Sequence, residues 1–174
     1  MNRWSTLVAV AGILLSRSAF AQEFPQPGPE HKYLAEMEGT WDAQVDMGGQ
    51  KSKGVSTYKM ICGGMWIASD FQGDIGGAKF QGHGVDGYDQ RKKKYVAVWV
   101  DSMESAPMHL SGDFDAKTKT MTMKGETVLP DGKPQPVKTT TVHKDKDTMV
   151  FTMFAIGPDN KDQPMLTITY TRRK

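Results

Sequence analysis

The stretch Gly39-Thr40-Trp41-Asp42-Ala43-Gln44-Val45-Asp46-Met47 decides how the chain is read. From Trp41 it alternates: Trp41, Ala43, Val45 and Met47 fall on one face, Asp42, Gln44 and Asp46 on the other. A period of two with one dry and one wet face is the pattern of a half-buried antiparallel strand. It returns in Phe151-Thr152-Met153-Phe154-Ala155, and again in Leu166-Thr167-Ile168-Thr169-Tyr170.

Turn signals recur roughly every 8 to 14 residues, the spacing of an all-β barrel or sandwich. They lie at Gly48-Gly49, Gly63-Gly64, Gly76-Gly77, Asp89 to Lys93, Ser105 to Pro107, Asp115 to Thr118, Pro130 to Pro134, Lys144 to Asp147 and Gly157 to Gln163. Nine turns predict ten strands. Upstream, Pro29-Glu30-His31-Lys32-Tyr33-Leu34-Ala35-Glu36-Met37-Glu38-Gly39 reads as the one helix, with Pro29 and Glu30 in its first turn and Gly39 as its stop. Short links and no crossover helices favour an up-and-down barrel of about ten strands, because closure removes the exposed edges.

The first residues read as an export signal. Arg3 makes the start positive, Trp4 to Leu15 is apolar, and Ala19-Phe20-Ala21 is a cleavage site before Gln22. The apolar run is shorter than the roughly 20 residues that span a bilayer. The expected organisation is therefore a signal over 1–21, a Pro-rich linker over 22–29, and one domain over 30–174, in the periplasm or the medium. Removing Arg3 and Arg17 from 22 basic residues leaves 20 against 20 acidic ones. Such a balance carries no nucleic-acid footprint, and the run Arg91 to Lys94 suits a hairpin tip. The lone Cys62 excludes an internal disulfide, and its place beside Gly63-Gly64 after a strand-like run suggests a buried, inert thiol.

Two sets of residues resemble known families. Gly39-Thr40-Trp41 after a short helix is similar to the G-x-W start of lipocalin-like (calycin) barrels, and that resemblance implies that Arg172 on the last strand lies over Trp41 and closes one end. A wider set, E-H-K-x-L from Glu30, G-T-W, the paired glycines before the third strand, F-x-G-x-G-x-x-G-Y-D from Phe80, Y-V-x-x-W-x-D-S-M from Tyr95 and Y-T-R from Tyr170, resembles the bacterial domain-of-unknown-function 1579 family. That family implies a calycin-like barrel, often exported, and no agreed activity.

Candidate ligand-binding residues follow from strand period. Tyr95, Ala97, Trp99 and Asp101 share a face, as do Phe80, Gly82 and Gly84. If these faces point inward, the glycines leave room beside Trp99 and Asp101 is a carboxylate at the barrel mouth, either capping its own strand end or orienting a ligand. The glycines of Gly82-His83-Gly84-Val85-Asp86-Gly87 fit a hairpin better than a phosphate cradle, since no helix follows. No catalytic motif appears around Ser102 or Cys62, and the four histidines lack zinc spacing, so neither catalytic nor metal residues are assigned and no cofactor is expected. The preferred function is binding of a small apolar or amphipathic molecule by a monomer or homodimer. The alternatives are a copper handler, suggested by Met121, Met123 and Met108-His109, or a haem handler, which the resemblance to calycin-like barrels implies through a single histidine, and an enzyme of unassigned class.

Intact mass of the exported protein tests the signal. Cleavage after Ala21 leaves 153 of the 174 residues, whereas a mature product that retains residues 1–21 overturns the assignment.

Overall fold

The computed structural model describes residues 24–75, 77–129 and 132–174. The expected signal at 1–21 lies outside them. One helix, α1 (His31–Glu36), precedes ten strands: β1 (Gly39–Met47), β2 (Gln50–Ile61), β3 (Trp66–Ile75), β4 (Ala78–Asp89), β5 (Lys94–Asp101), β6 (Met108–Asp115), β7 (Thr120–Val128), β8 (Pro134–His143), β9 (Thr148–Ile156) and β10 (Asp162–Arg172). Each strand pairs antiparallel with the next, and β1 pairs with β10, so the sheet is a closed meander. The protein is an all-β, lipocalin-like barrel with one short helix.

The strand period sorts the chain between interior and surface. Trp41, Ala43 and Val45 point inward and are buried, as are Ile67, Phe71, Met121, Met123 and Ile168 from the opposite walls. Three features depart from the sequence reading. The helix ends at Glu36, three residues before Gly39, because its last turn tightens: the amides of Met37 and Glu38 donate to Leu34 and Ala35. Gly82 to Gly87 is the middle of β4 rather than a hairpin. Cys62 is exposed, since it opens the turn after β2 with a φ of 51°, which swings its side chain away from the interior.

One end of the barrel is sealed. Tyr33 on α1 packs on Phe114 at 4.2 Å, His143 at 5.1 Å and Tyr95 at 5.8 Å between ring centroids. Beneath it the Arg172 guanidinium lies 4.0 Å from the centre of the Trp41 ring. The same guanidinium donates to the carbonyls of Glu38 at 2.5 Å, Glu36 at 2.6 Å and Lys146 at 3.1 Å. Helix-end carbonyls lack partners within the helix and attract a cation. Gly39 makes the approach possible: its φ is 127°, and a Cβ there would stand 2.8 Å from Arg172 Nη1. Trp41 completes the seal by donating from Nε1 to the Met37 carbonyl at 2.8 Å.

Trp41 is 1% exposed, so Trp41→Ala should cost about 3 to 5 kcal/mol in denaturant unfolding. Arg172→Lys, which keeps the charge but not the fork of donors, should cost about 1 to 3 kcal/mol. A change below about 0.5 kcal/mol in both variants would mean that this end is held by other contacts.

Candidate functional site: the barrel lumen

The lumen runs from the α1 seal to a rim formed by the opposite set of hairpins. Ten strands enclose more volume than the eight that side chains can fill or nearly fill. Tyr58, Trp99, Leu110, Phe114, Phe151 and Leu166 pack against the core yet stay only partly buried. Phe114 also borders a cleft beside α1 and Leu166 a groove between the β1–β2 hairpin and β10.

The six residues singled out by strand period line one wall from rim to seal. Gly82 pairs with Asp101 and Gly84 with Trp99. The space beside these glycines is occupied by Trp99 itself: a Cβ on Gly82 would stand 2.2 Å from the indole, and one on Gly84 would stand 3.2 Å from it. Gly87, on the outer face, seats Trp66 in the same way, with 2.3 Å to the ring. The glycines thus fit tryptophans and leave no cavity of their own. Phe80 is buried near the rim with its ring 5.7 Å from Phe71, edge to face. Tyr95 belongs to the sealed end, where its hydroxyl donates to the Glu30 carbonyl at 2.9 Å.

Asp101 caps its own strand end. It accepts from Trp99 Nε1 at 2.9 Å and from the amides of Met103 at 2.8 Å and Glu104 at 3.1 Å. These bonds fix the indole and the turn after β5 together, and they occupy both carboxylate oxygens.

The carboxylate that sequence reading passed over is Asp86. Its cross-strand partners are Ile67 and Ala97, both buried on the inner face, so Asp86 points inward as well. No hydrogen bond or ion pair reaches it from the described residues. Burial away from bulk water pushes its pKa up to about 7. Counting on by two from Phe80 would have found it, had Gly84-Val85-Asp86-Gly87 not looked like a turn.

Ser56, Ser69 and Thr139 are buried polar residues of the inner wall. Tyr58 bonds with Ser56 and Tyr170, and burial raises its pKa to about 12. Tyr33 is also pushed up, first by burial and then by Asp86. The tyrosines stay neutral, which leaves Asp86 as the lumen group that titrates near neutrality. Apolar walls with a few convergent polar groups are the make-up of a small-molecule pocket.

Residues suggested for metal or haem do not converge. Met121 and Met123 are buried inside, whereas His109 is exposed on the outer face, as is His83, which pairs with Asp70 at 2.5 Å. His31 and His143 are built into the seal, each with a buried Nε2 that has no hydrogen-bond partner among the described residues. Among the described residues no three His, Cys, Asp or Glu side chains form a metal-binding group. Two clefts open elsewhere: a groove of about 700 Å3 between the β1–β2 hairpin and β10, walled by Asp46, Lys51, Lys53 and Met165, and one of about 560 Å3 beside α1, floored by Tyr33, Tyr95 and His143. Neither contains Asp86.

A raised carboxylate pKa gives a signed dependence on pH. Between its ordinary value of 3.8 and about 7 the folded chain holds a proton that the unfolded chain has lost, so stability falls as pH rises. Relative to Asp86→Asn, the unaltered protein should lose up to about 1.4 kcal/mol per pH unit over this window and level off above it. Equal slopes in the two proteins would place the carboxylate in bulk water.

The barrel is similar to solved structures that share little of its sequence. Rv2717c from M. tuberculosis matches with a TM-score of 0.62 at 10% identity, over 84% of this chain and 99% of that one. The S-type phycobiliprotein lyase CPES from Guillardia theta matches with a TM-score of 0.51 at 10% identity, over 83% and 93%. No curated protein sequence gives a match. The family model described as protein of unknown function (DUF1579) matches residues 26–172, across both the seal and the lumen, and the chain therefore belongs to the DUF1579 family.

Proposed function

We propose that the protein is exported and binds a small apolar or amphipathic molecule in the lumen of its barrel. One observation carries the reading: Trp99, Leu110 and Phe151 stand on the inner face of the barrel yet stay only partly buried, and the same face carries a carboxylate, Asp86, that has no hydrogen-bond or ion-pair partner among the described residues. A packed core would bury these side chains and would pair or exclude the charge. The lumen is sealed at α1, so a ligand enters at the rim, past Trp99. Export rests on residues 1–21 as read from the sequence. Among the described residues no helix is long and apolar enough to cross a membrane.

Contact quenching tests the lumen. Octyl bromide quenches indoles that it touches, and Trp99 faces inward while Trp66 lies on the outer face over Gly87. Saturable quenching should persist in Trp66→Phe and fall sharply in Trp99→Phe. Quenching that disappears with Trp66 instead, or that never saturates, would show that the molecule binds the outer surface or not at all.

A further inference from the structure

We propose that the lumen selects amphipathic amines, with Asp86 anchoring a protonated amino group and the apolar tail running toward Trp99 and the rim. This inference rests on the ligand-binding reading above and names the ligand class. Charge is the first argument. Of the ionisable side chains that face inward, Asp101 is taken up by three donors and Arg172 by three carbonyls, and His31 and His143 are packed into the seal against Tyr88 and Tyr33. Asp86 therefore has no internal cation to balance it among the described residues, and a buried carboxylate without a counter-charge is costly unless a ligand supplies one.

Position is the second argument. Asp86 lies four residues deeper along β4 than Gly82, the rim partner of Asp101, which is about 13 Å at the rise of a strand. A head group at Asp86 thus leaves a column of lumen for a tail. Chemistry of the walls is the third. Tyr58 and Tyr33 stand close enough to feel the charge of Asp86, and their ring faces attract an ammonium as well. Met121, Met123 and Met149 line the interior, and flexible thioether chains adapt to tails of differing shape. An anionic head group has no lysine or arginine beside Asp86 among the described residues, and the imidazole nearest along β4, His31 of α1, is packed edge-on against Tyr88 in the seal. The groups that face Asp86 are Ile67, Ala97, Tyr58 and Tyr33, with Tyr88 and Tyr95 toward the seal.

Displacement of the neutral fluorescent probe N-phenyl-1-naphthylamine from the full mature chain tests the inference with octylamine, octanol and octanoate at about pH 8, where the amine is charged. The expected order is octylamine ahead of octanol by about 10-fold or more, the gain of a charge-assisted hydrogen bond, with octanoate weakest. In Asp86→Asn and in Asp86→Leu the probe should still bind, and the advantage of octylamine over octanol should shrink to about threefold or less. At about pH 5.5 the unaltered protein should behave like these variants, because protonated Asp86 carries no charge. An amine preference that survives in both variants, or octanoate as the strongest competitor, overturns amine selection and leaves the lumen reading standing. Failure of the unaltered protein to bind the probe or any octyl compound overturns both.

Discussion

One contact holds the architecture in register: the guanidinium of Arg172 between the Trp41 ring and the carbonyls that end α1. A meander of hairpins makes nine pairings between neighbours in sequence, and none of them requires the sheet to close. Closure needs the tenth, β1 to β10, in one register, with Trp41 opposite Arg172. The guanidinium enforces that register because it must reach three carbonyls and a ring at once. A lysine could satisfy one of these acceptors at a time. Gly39 belongs to the same device, since any side chain there would collide with the arginine.

Sealing one end has a direct consequence for the interior. The aromatic residues that the fold can spare are concentrated at α1, where Tyr33, Tyr95, Phe114 and His143 meet. Toward the rim, Phe71 and Phe80 pack edge to face, and Trp99 is held against its own wall by Gly82, Gly84 and the carboxylate of Asp101. Two glycines thus seat one tryptophan against the inner wall. The wall residues that a sequence reading groups together by period thus serve three ends: sealing by Tyr95, clearance by the glycines with Trp99, and capping by Asp101.

The strand pattern was legible where side chains alternate cleanly, as in Trp41 to Met47, and where paired glycines mark hairpins. Ten strands and their order follow from signals of that kind, whereas the closing pair of Trp41 and Arg172 was implied by the resemblance of Gly39-Thr40-Trp41 to lipocalin-like barrels. The lumen was less legible for a physical reason. Glycine inside a strand carries the same letter as glycine in a turn, and only a cross-strand neighbour distinguishes them: Trp99 sits over Gly82 and Gly84, and Trp66 over Gly87. Masked by those glycines, Asp86 read as a turn residue although its parity matches Phe80. The exposure of Cys62 depends on a positive φ in the following turn, which no side-chain pattern records.

Closure through the last strand also shapes how the chain folds. The hydrogen bonds from Arg172 to Glu38 and Glu36 join residues 134 and 136 apart, and bringing ends together across a loop of that length costs about 4 kcal/mol of chain entropy before any contact offsets it. Until β10 is in place, β1 and β9 present unpaired edges of the kind that recruit strands from other molecules. The cooperative step is therefore assigned to the end of the chain: nine strands can zip locally, but only the arrival of the tenth turns an open, adhesive sheet into a self-contained barrel.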